Sequence, residues 1–492
     1  MDINVLSGRF RAEFGASVIA MAVGSLLTVI LARLLNPTGY GLLFLAITIF
    51  NIASIFSRFG VAKSSARYIA EYKEKNSDQI PHIIHYSLSL NILTSLIIGG
   101  IFLVGDTSIA TLLDEPKLAD LLLLGPPFII LYTLMDYSRT IFQGFEDIHS
   151  AALIRILERV IKFGAIVILV AFGYGATGAI VGYIIGYFCS SAFGLGYLYY
   201  TYYRKYSRST TMEKGLQRRI AEYSFPVTLT NSADKVEKQM DVLIVGFLLD
   251  PAAVGFYVLG KQLMQFISVP VSALGFVISP TLGNKKANDD LSGGSSIYRI
   301  SLSNSLLIYV PAAAGLFLLA EPGVLIVFGD EYLGAVPILQ VFSVYIILRS
   351  ITHISSNGLD YLGRAKTRAI TKSITAVLNM LLTVILVIEF GVIGAAIATV
   401  LTFSLYTFVV IYVVKSEFGL DIMDLLKEVS KMIPATLLMS IIVYYMAGMI
   451  DGIYSLLSVI VFGIVIYLLA SIGTGALKLD NLTQIIKSLI TS

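Results

Sequence analysis

Residues 222–249 read EYSFPVTLTNSADKVEKQMDVLIVGFLL. The stretch is apolar at both ends and carries Asp234, Lys235, Glu237, Lys238 and Asp241 in its middle. As a helix it would run for ~40 Å, enough to cross a hydrocarbon core about 30 Å thick. A charge at the centre of a lipid-facing helix costs about 3 kcal/mol or more, so these side chains must face something other than lipid. Asp234, Glu237, Lys238 and Asp241 recur at helical spacing and share one face. On that face Asp234 can pair with Lys238, and Lys238 with Asp241. An internal salt-bridge network accounts for them without any ligand. A wall lining a wet path for substrate or ions accounts for them better, because ionisable residues inside membranes mark such paths.

The rest of the chain supports a membrane setting. Of 492 residues, 56% are hydrophobic and 14% charged, with a mean hydropathy of +0.82. Soluble domains carry about 25% charged residues. The apolar runs are long and continuous rather than alternating, which points to helices and not to a β-barrel. The net charge of +3 says little about partners. The one cysteine, Cys189, lies in an apolar run and reads as a small buried hydrophobe; a disulfide within the chain or a multi-cysteine metal site is excluded. His82 and His85 stand at a helix entry beside Pro81 and read as interfacial. Trp is absent, so Tyr197, Tyr199, Tyr200, Tyr202, Tyr203 and Tyr206 supply an interfacial belt at one helix end. The first apolar run continues to spanning length, so no cleavable signal peptide is expected.

Fourteen spans are expected, at roughly 14–34, 40–59, 84–104, 121–142, 152–172, 177–199, 223–249, 252–278, 300–320, 335–357, 369–388, 392–413, 432–450 and 454–474. The connections alternate in charge. One side collects Arg58, Lys63 and Arg67, then Arg204, Lys205 and Arg208, then Lys285 and Lys286, then Arg364, Lys366 and Arg368. The other collects Asp106, Asp114, Glu115, Asp250, Glu321, Asp330 and Glu331, with Arg33 and Lys117 as its only bases. The positive-inside rule then puts both termini in the cytoplasm. Between the second and third spans, residues 67–76 (RYIAEYKEKN) read as an amphipathic helix lying in the interface.

The chain repeats itself. LLNPTGYG at 34–41 returns as LLDPAAVG at 248–255, and the same offset pairs Gln143-Gly144 with Asn357-Gly358. Nearly the same offset pairs GATG at 175–178 with GVIG at 391–394. The motif after span one matches the motif after span seven, so the repeat is six spans long. Six is even, and the two copies have the same orientation about an axis along the membrane normal. The expected fold is all-α: two six-helix bundles, 1–215 and 216–420, plus two additional C-terminal helices in 421–492.

At these motifs the chain resembles a family. LARLLNPTGYGLLFLA at 31–46, SRFGVAKSSARYIAEY at 57–72 and FPVTLTNSADKVEKQMDVLIVGFLLDPAAVGFYVLGKQL at 225–263 are similar to the polysaccharide-export branch of the multidrug/oligosaccharidyl-lipid/polysaccharide superfamily. The resemblance implies two six-helix bundles in a V shape and flipping of lipid-linked oligosaccharides across the cell membrane. Lipid II flippases of that superfamily hold a pyrophosphate with cationic cavity residues. Here acids stand beside the lysines.

A phosphate-bearing headgroup wants Lys and Arg donors. Lys235 and Lys238 in the charged middle of the seventh span, with Lys261 and Arg349 inside apolar runs, are the substrate-binding candidates. Asp234, Glu237 and Asp241 are candidates for balancing those charges or binding a coupling cation, Na+ or H+. Arg58, Asp136 and Arg139 are candidates for the cytoplasmic mouth; snorkelling accounts for the two arginines, and Asp136 and Arg139 are placed to pair. The expected partners are a polyprenyl phosphate or diphosphate oligosaccharide and membrane lipids, without nucleic acid. No Gly-x-x-x-x-Gly-Lys-Ser/Thr loop builds in an ATPase, and no connection is long enough for a glycosyltransferase site, so no enzyme, cofactor or metal is expected. A cation-coupled multidrug exporter of the same fold, or a non-transporting scaffold of a polysaccharide assembly complex, are the alternatives.

The charge alternation makes a direct prediction. In a Cys189→Ser background, single cysteines at 114–120 or 329–333 react with an impermeant thiol reagent in intact cells, and those at 205–218 do not. Labelling of the last group from outside reverses the orientation.

Overall fold

A computed structural model describes residues 3–206, 211–268 and 281–477; the side chains of 3–20, 22, 229–234, 357, 358, 361 and 422 lie outside that description. The described residues are helical throughout, joined by short turns. The helices are α1 (Ile3–Arg58), α2 (Val61–Lys75), α3 (Ile80–Leu112), α4 (Pro116–Leu122), α5 (Gly125–Gly144), α6 (Ile148–Leu169), α7 (Gly175–Leu198), α8 (Leu216–Leu248) and α9 (Pro251–Ile267). They continue as α10 (Leu291–Val327), α11 (Val336–Tyr361), α12 (Ala365–Phe390), α13 (Val392–Phe418), α14 (Ile422–Ala447) and α15 (Ile453–Gly473). Among the described residues nine helical segments are long and apolar enough to cross a membrane, or ten if α4 and α5, bent by 43°, count as one broken span. Two of these segments, 23–58 and 148–203, each cover two expected spans. Helix α8 is not among them, because of the charges that single it out in the sequence.

The recurring motifs do the same physical work in each copy. Asn36 interrupts α1 with φ 52° and ψ 171°. The following Pro37 bars the α conformation at Asn36, and Asn tolerates a positive φ. Its Oδ1 accepts from the Gly39 amide at 2.9 Å, capping the helix that Pro37 begins. In the second copy Asp250 Oδ1 accepts from the Ala253 amide at 2.8 Å, and Pro251 begins α9. The glycine turns match as well. Gly175 (φ 56°, ψ −141°) and Gly391 (φ 63°, ψ −149°) share a backbone conformation that is essentially restricted to glycine.

By proximity the chain divides into two compact units, 1–255 and 256–492. The division falls inside α9, well past the repeat boundary expected near 215. The reason lies in packing: α8, expected to begin the second repeat, packs on α1 and α2 of the first unit. Within that unit the two Pro-x-x-x-Gly turns cross backbone to backbone. A Cβ on Gly41 would lie 1.7 Å from the Pro251 carbonyl oxygen, and one on Gly255 would lie 2.3 Å from the Pro37 carbonyl oxygen. The contact is reciprocal, each glycine admitting the other motif's proline carbonyl. At the same end, burial together with Asp114 and Asp250 pushes the Glu115 carboxyl above its usual range. Helices α6 and α7 meet along another small-residue seam, where Gly182 and Gly186 approach the backbone of Ile166 and Lys162.

Helix α2 corrects the interfacial reading of residues 67–76. Its apolar face, with Tyr68, Ile69 and Tyr72, is buried against protein. Ser64 Oγ donates to the Ile220 carbonyl at 2.9 Å, and Tyr72 donates to Glu213 Oε2 at 2.6 Å. Arg219 donates to the Tyr72 hydroxyl at 2.7 Å and to Glu213 Oε1 at 2.6 Å. Burial and the Glu213 carboxylate raise the Tyr72 hydroxyl above its ordinary pKa. The helix thus straps the connection leading into α8. In the second unit, α14 and α15 pack through Ala435, Met439, Val443, Val459 and Tyr467, against Leu307, Ala314, Leu318 and Leu319 of α10.

The glycine crossing sets a stability prediction. Gly41→Leu and Gly255→Leu each lower the apparent melting temperature of the detergent-purified protein, by more than ordinary overpacking of about 1–3 kcal/mol would. Gly164→Ala, whose Cβ meets open space in α6, leaves it unchanged or raises it, since Ala is about 1 kcal/mol better than Gly in a helix.

Candidate functional site: a cationic cluster on the first unit

The last turn of α1 delivers Arg58 to α5. Ser57 and Thr133, fully buried, share a hydrogen bond of 2.6 Å and fix the two helices at that level. Arg58 Nε donates to the Ser54 carbonyl at 3.0 Å. Its Nη1 donates to Asp136 Oδ2 at 3.2 Å and to the Tyr132 hydroxyl at 3.4 Å. The guanidinium lies over the Tyr132 ring, 4.8 Å from the centroid. Arg139, one turn beyond Asp136, donates Nη2 to Asp136 Oδ1 at 2.8 Å. Both carboxylate oxygens are therefore engaged, each by a different arginine. The pairing of Asp136 with Arg139 follows the sequence spacing. The snorkelling reading of Arg58 does not hold: its side chain, 13% exposed, turns into the protein because a carboxylate and a tyrosine wait there.

Lys235 of α8 completes the cluster. It is exposed and lies within electrostatic reach of Arg58, Asp136, Lys63 and Arg139. No carboxylate among the described residues forms an ion pair with it. Arg139 Nε is also buried without an acceptor. Arg58, Arg139 and Lys235 thus act on one carboxylate, both of whose oxygens the two arginines already engage. Like charges at this range repel, and an entering anion relieves that repulsion while accepting the unspent N–H donors.

The other candidates are distributed. Lys238 is exposed on α8, Glu237 half-buried and Asp241 buried, and all three engage in further interactions. The Asp234 side chain lies outside the described residues. Thr48 donates to Gln239 Oε1 at 3.4 Å, holding this level of α8 on α1. Lys261 and Arg349 belong to the second unit, Lys261 with its ammonium 5.7 Å from the Tyr257 ring centroid. Within the first unit Lys235 is thus within electrostatic reach of Arg58, Asp136, Arg139 and Lys63.

Sequence reasoning passed over a second charged group. Glu158 and Lys162 of α6 form a buried ion pair at 2.5 Å, with Arg159 Nε 3.4 Å from the other Glu158 oxygen. The Lys162 ammonium stands 4.7 Å from the Tyr183 ring and 5.8 Å from that of Tyr187. Tyr187 in turn packs on Tyr132 at 5.1 Å, linking this pair to the Arg58 cluster through an aromatic contact. The signal was present: an acid and a base four residues apart in the span expected at 152–172.

This fold defines a class, an all-helical multi-pass membrane protein. The structure superposes on the lipid II flippase MurJ in an inward closed conformation with a TM-score of 0.74, at 20% identity, over 93% of this chain and 97% of that one. That likeness establishes the fold. The profile of the family described as polysaccharide biosynthesis protein matches residues 30–337, and the chain belongs to that family. The probable low-salt glycan biosynthesis flippase Agl15 of Haloferax volcanii is 26% identical over 282 residues, 57% of this chain and 58% of that protein. The match therefore spans little more than half the length of that relative. The lipopolysaccharide biosynthesis protein WzxC of Escherichia coli is 24% identical over 393 residues, 79% of this chain and 76% of that one.

Asp136 holds two arginines, so its loss is felt most. Asp136→Asn leaves Arg58 buried beside like charges and destabilises the purified protein by about 3–5 kcal/mol. Arg139→Gln, at a side chain 31% exposed, costs about 1 kcal/mol or less. Arg58→Gln combined with Asp136→Asn recovers part of the loss. Chemical denaturation of the detergent-solubilised protein measures all three.

Proposed function

We propose that the chain is a flippase that moves a lipid-linked oligosaccharide from the cytoplasmic to the outer leaflet by alternating access. The observation that carries this reading is the excess of cations around Asp136, with Lys235 free of any ion pair among the described residues. A phosphate group cannot cross hydrocarbon alone, because desolvating an ion is far costlier than any single contact repays. The polyprenyl chain stays in lipid while Arg58, Arg139 and Lys235 replace the water of the headgroup. Lys63 and Lys238 extend the cationic surface. Glu237, Asp241 and Asp234 are the acids available to a coupling cation, Na+ or H+.

The architecture of this reading is fourteen spans in two six-helix repeats, 1–215 and 216–420, with an additional pair in 421–492. The repeats share an orientation about the membrane normal. The matched caps at Asn36 and Asp250, the matched glycine conformations at Gly175 and Gly391, and the reciprocal crossing of Gly41 and Gly255 support it. Both termini lie in the cytoplasm and the protein resides in the cell membrane. The names of its relatives, a glycan flippase and a lipopolysaccharide biosynthesis protein, support the cargo class. The multidrug alternative needs an acid free to bind a cation in the first half. Glu158 is buried there, and Lys162 and Arg159 already neutralise it.

Flipping of a fluorescent polyprenyl-diphosphate oligosaccharide in proteoliposomes tests the proposal. Lys235→Ala reduces the rate about tenfold or more, in line with loss of a charge-assisted bond. Lys235→Arg retains most of it, and both variants keep wild-type abundance. Full activity in Lys235→Ala would remove the cluster from the transport path.

A further inference from the structure

The apolar segment 148–203 ends in a run of tyrosines followed by two bases, YYTYYRKY at 199–206. The Arg204 amide donates to the Tyr199 carbonyl at 3.0 Å, five residues back, so α7 closes in a π-turn over Tyr199–Tyr203. Such turns are rare and recur at functional sites.

The turn sorts the side chains into two sets. Tyr202 faces inward: its hydroxyl donates to Asp147 Oδ2 at 3.1 Å, and its ring stacks on Phe145 with centroids 4.0 Å apart. Asp147 is also engaged by Ser150, through the amide at 3.0 Å and the hydroxyl at 2.6 Å. Tyr199 and Tyr200 stand outward, Tyr200 with 69% of its surface exposed. Their rings meet edge to face at 5.4 Å, and Tyr203 stacks on Tyr199 at 5.6 Å. The Arg204 guanidinium lies 5.9 Å from the Tyr200 ring centroid, and Lys205 beside it is exposed. No carboxylate among the described residues pairs with either base.

The surface these groups occupy says what meets them. Ile185, Phe188, Ala192 and Tyr199 are exposed at i, i+3, i+7 and i+14, so one unburied stripe of α7 runs up to this end. On a spanning helix such a stripe meets lipid, and the tyrosines that close it stand at headgroup depth. A bilayer lipid can lay an acyl chain along the stripe and bring its phosphate to Arg204 and Lys205 without leaving the membrane.

We propose that this end of α7 is a docking site for an anionic phospholipid, with Tyr199 and Tyr200 against the glycerol region and Arg204 and Lys205 on the phosphate. The occupant is a lipid of the bilayer and not the cargo of the Asp136 cluster. Two adjacent cations with no acid between them favour a headgroup of net negative charge over a zwitterionic one, whose ammonium they repel. The ring beside Arg204 holds the guanidinium at the interface.

Native mass spectrometry of the full-length, delipidated protein in detergent tests the site. The probes are phosphatidylglycerol and phosphatidylcholine with the same acyl chains, and inorganic phosphate. For the first lipid bound, the wild-type protein prefers phosphatidylglycerol about tenfold. Arg204→Gln combined with Lys205→Gln removes most of that preference, and Tyr200→Leu weakens phosphatidylglycerol binding severalfold. Lys214→Gln combined with Arg218→Gln removes as much charge from the exposed connection that follows and leaves the preference unchanged. Equal binding of the two lipids by the wild-type protein overturns the inference. So does an unchanged preference in the Arg204 and Lys205 double variant, or an equal loss in both double variants. Inorganic phosphate that fills the site as well as phosphatidylglycerol also overturns it, since no lipid is then needed. A wild-type dimer that the Arg204 and Lys205 double variant disperses gives the patch to a second copy of the chain, and overturns it as well.

Discussion

A charge held in an apolar medium must be paired or hydrated, and most of this structure can be read from how each charge meets that demand. Glu158 and Lys162 meet it by pairing at 2.5 Å inside the first unit. Asp136 meets it twice, with Arg58 and Arg139. Glu417 accepts from Lys286 at 2.5 Å and also from Arg364. Such pairs hold helices in register, and their net contribution to stability is small because desolvation offsets the attraction. The informative cases are those left over. Lys235 and Arg349 have no ion pair among the described residues, although both lie within expected spans. In a membrane protein that residue of unmet demand points to a ligand more strongly than any count of salt bridges.

Much of the fold was legible in the sequence because its signals are local. Asx-Pro states a helix break and a cap in two residues, and the backbone at Asn36 and Asp250 follows it. GATG and GVIG announce turns that only glycine can make. Long apolar runs locate helices wherever charge does not interrupt them. The partners of the motif glycines were not legible: Gly41 and Gly255 make close contacts with each other's motif, an approach that sequence spacing cannot display. The same limit explains the unit boundary. A repeat is read along the chain, whereas compactness is defined in space, and α8, expected to begin the second repeat, packs in the first unit.

The site was legible in its members and not in its grouping. Arg58, Asp136, Arg139 and Lys235 were each recognised by the cost of their charge. Their convergence requires knowing that α1, α5 and α8 meet at one level, which the buried Ser57–Thr133 bond and the Thr48–Gln239 bond report. Glu158 and Lys162 escaped notice for the opposite reason. A neutral i, i+4 pair barely changes the polarity of its run. Helix α2 misled in another way. An amphipathic segment declares that one face is apolar, without declaring whether lipid or protein covers it. Here Ile220 of α8 and Glu213 on the connection into it settle that question.

Under the proposed flippase reading, an acid at the centre of the cationic cluster looks like a defect until turnover is considered. The cations alone, with no counter-charge, would bind a phosphate tightly and would repel one another strongly before it arrived. Asp136 reduces both effects. It fixes Arg58 and Arg139 in one geometry, so fewer rotamers are lost when the headgroup binds. It also lowers the net charge the headgroup meets, which weakens the complex. A transport site has to release what it holds, so affinity beyond what capture requires slows the cycle. On this view the acid is part of the site's tuning: the arginines supply orientation, Lys235 supplies an exposed charge, and Asp136 keeps the well shallow enough to leave.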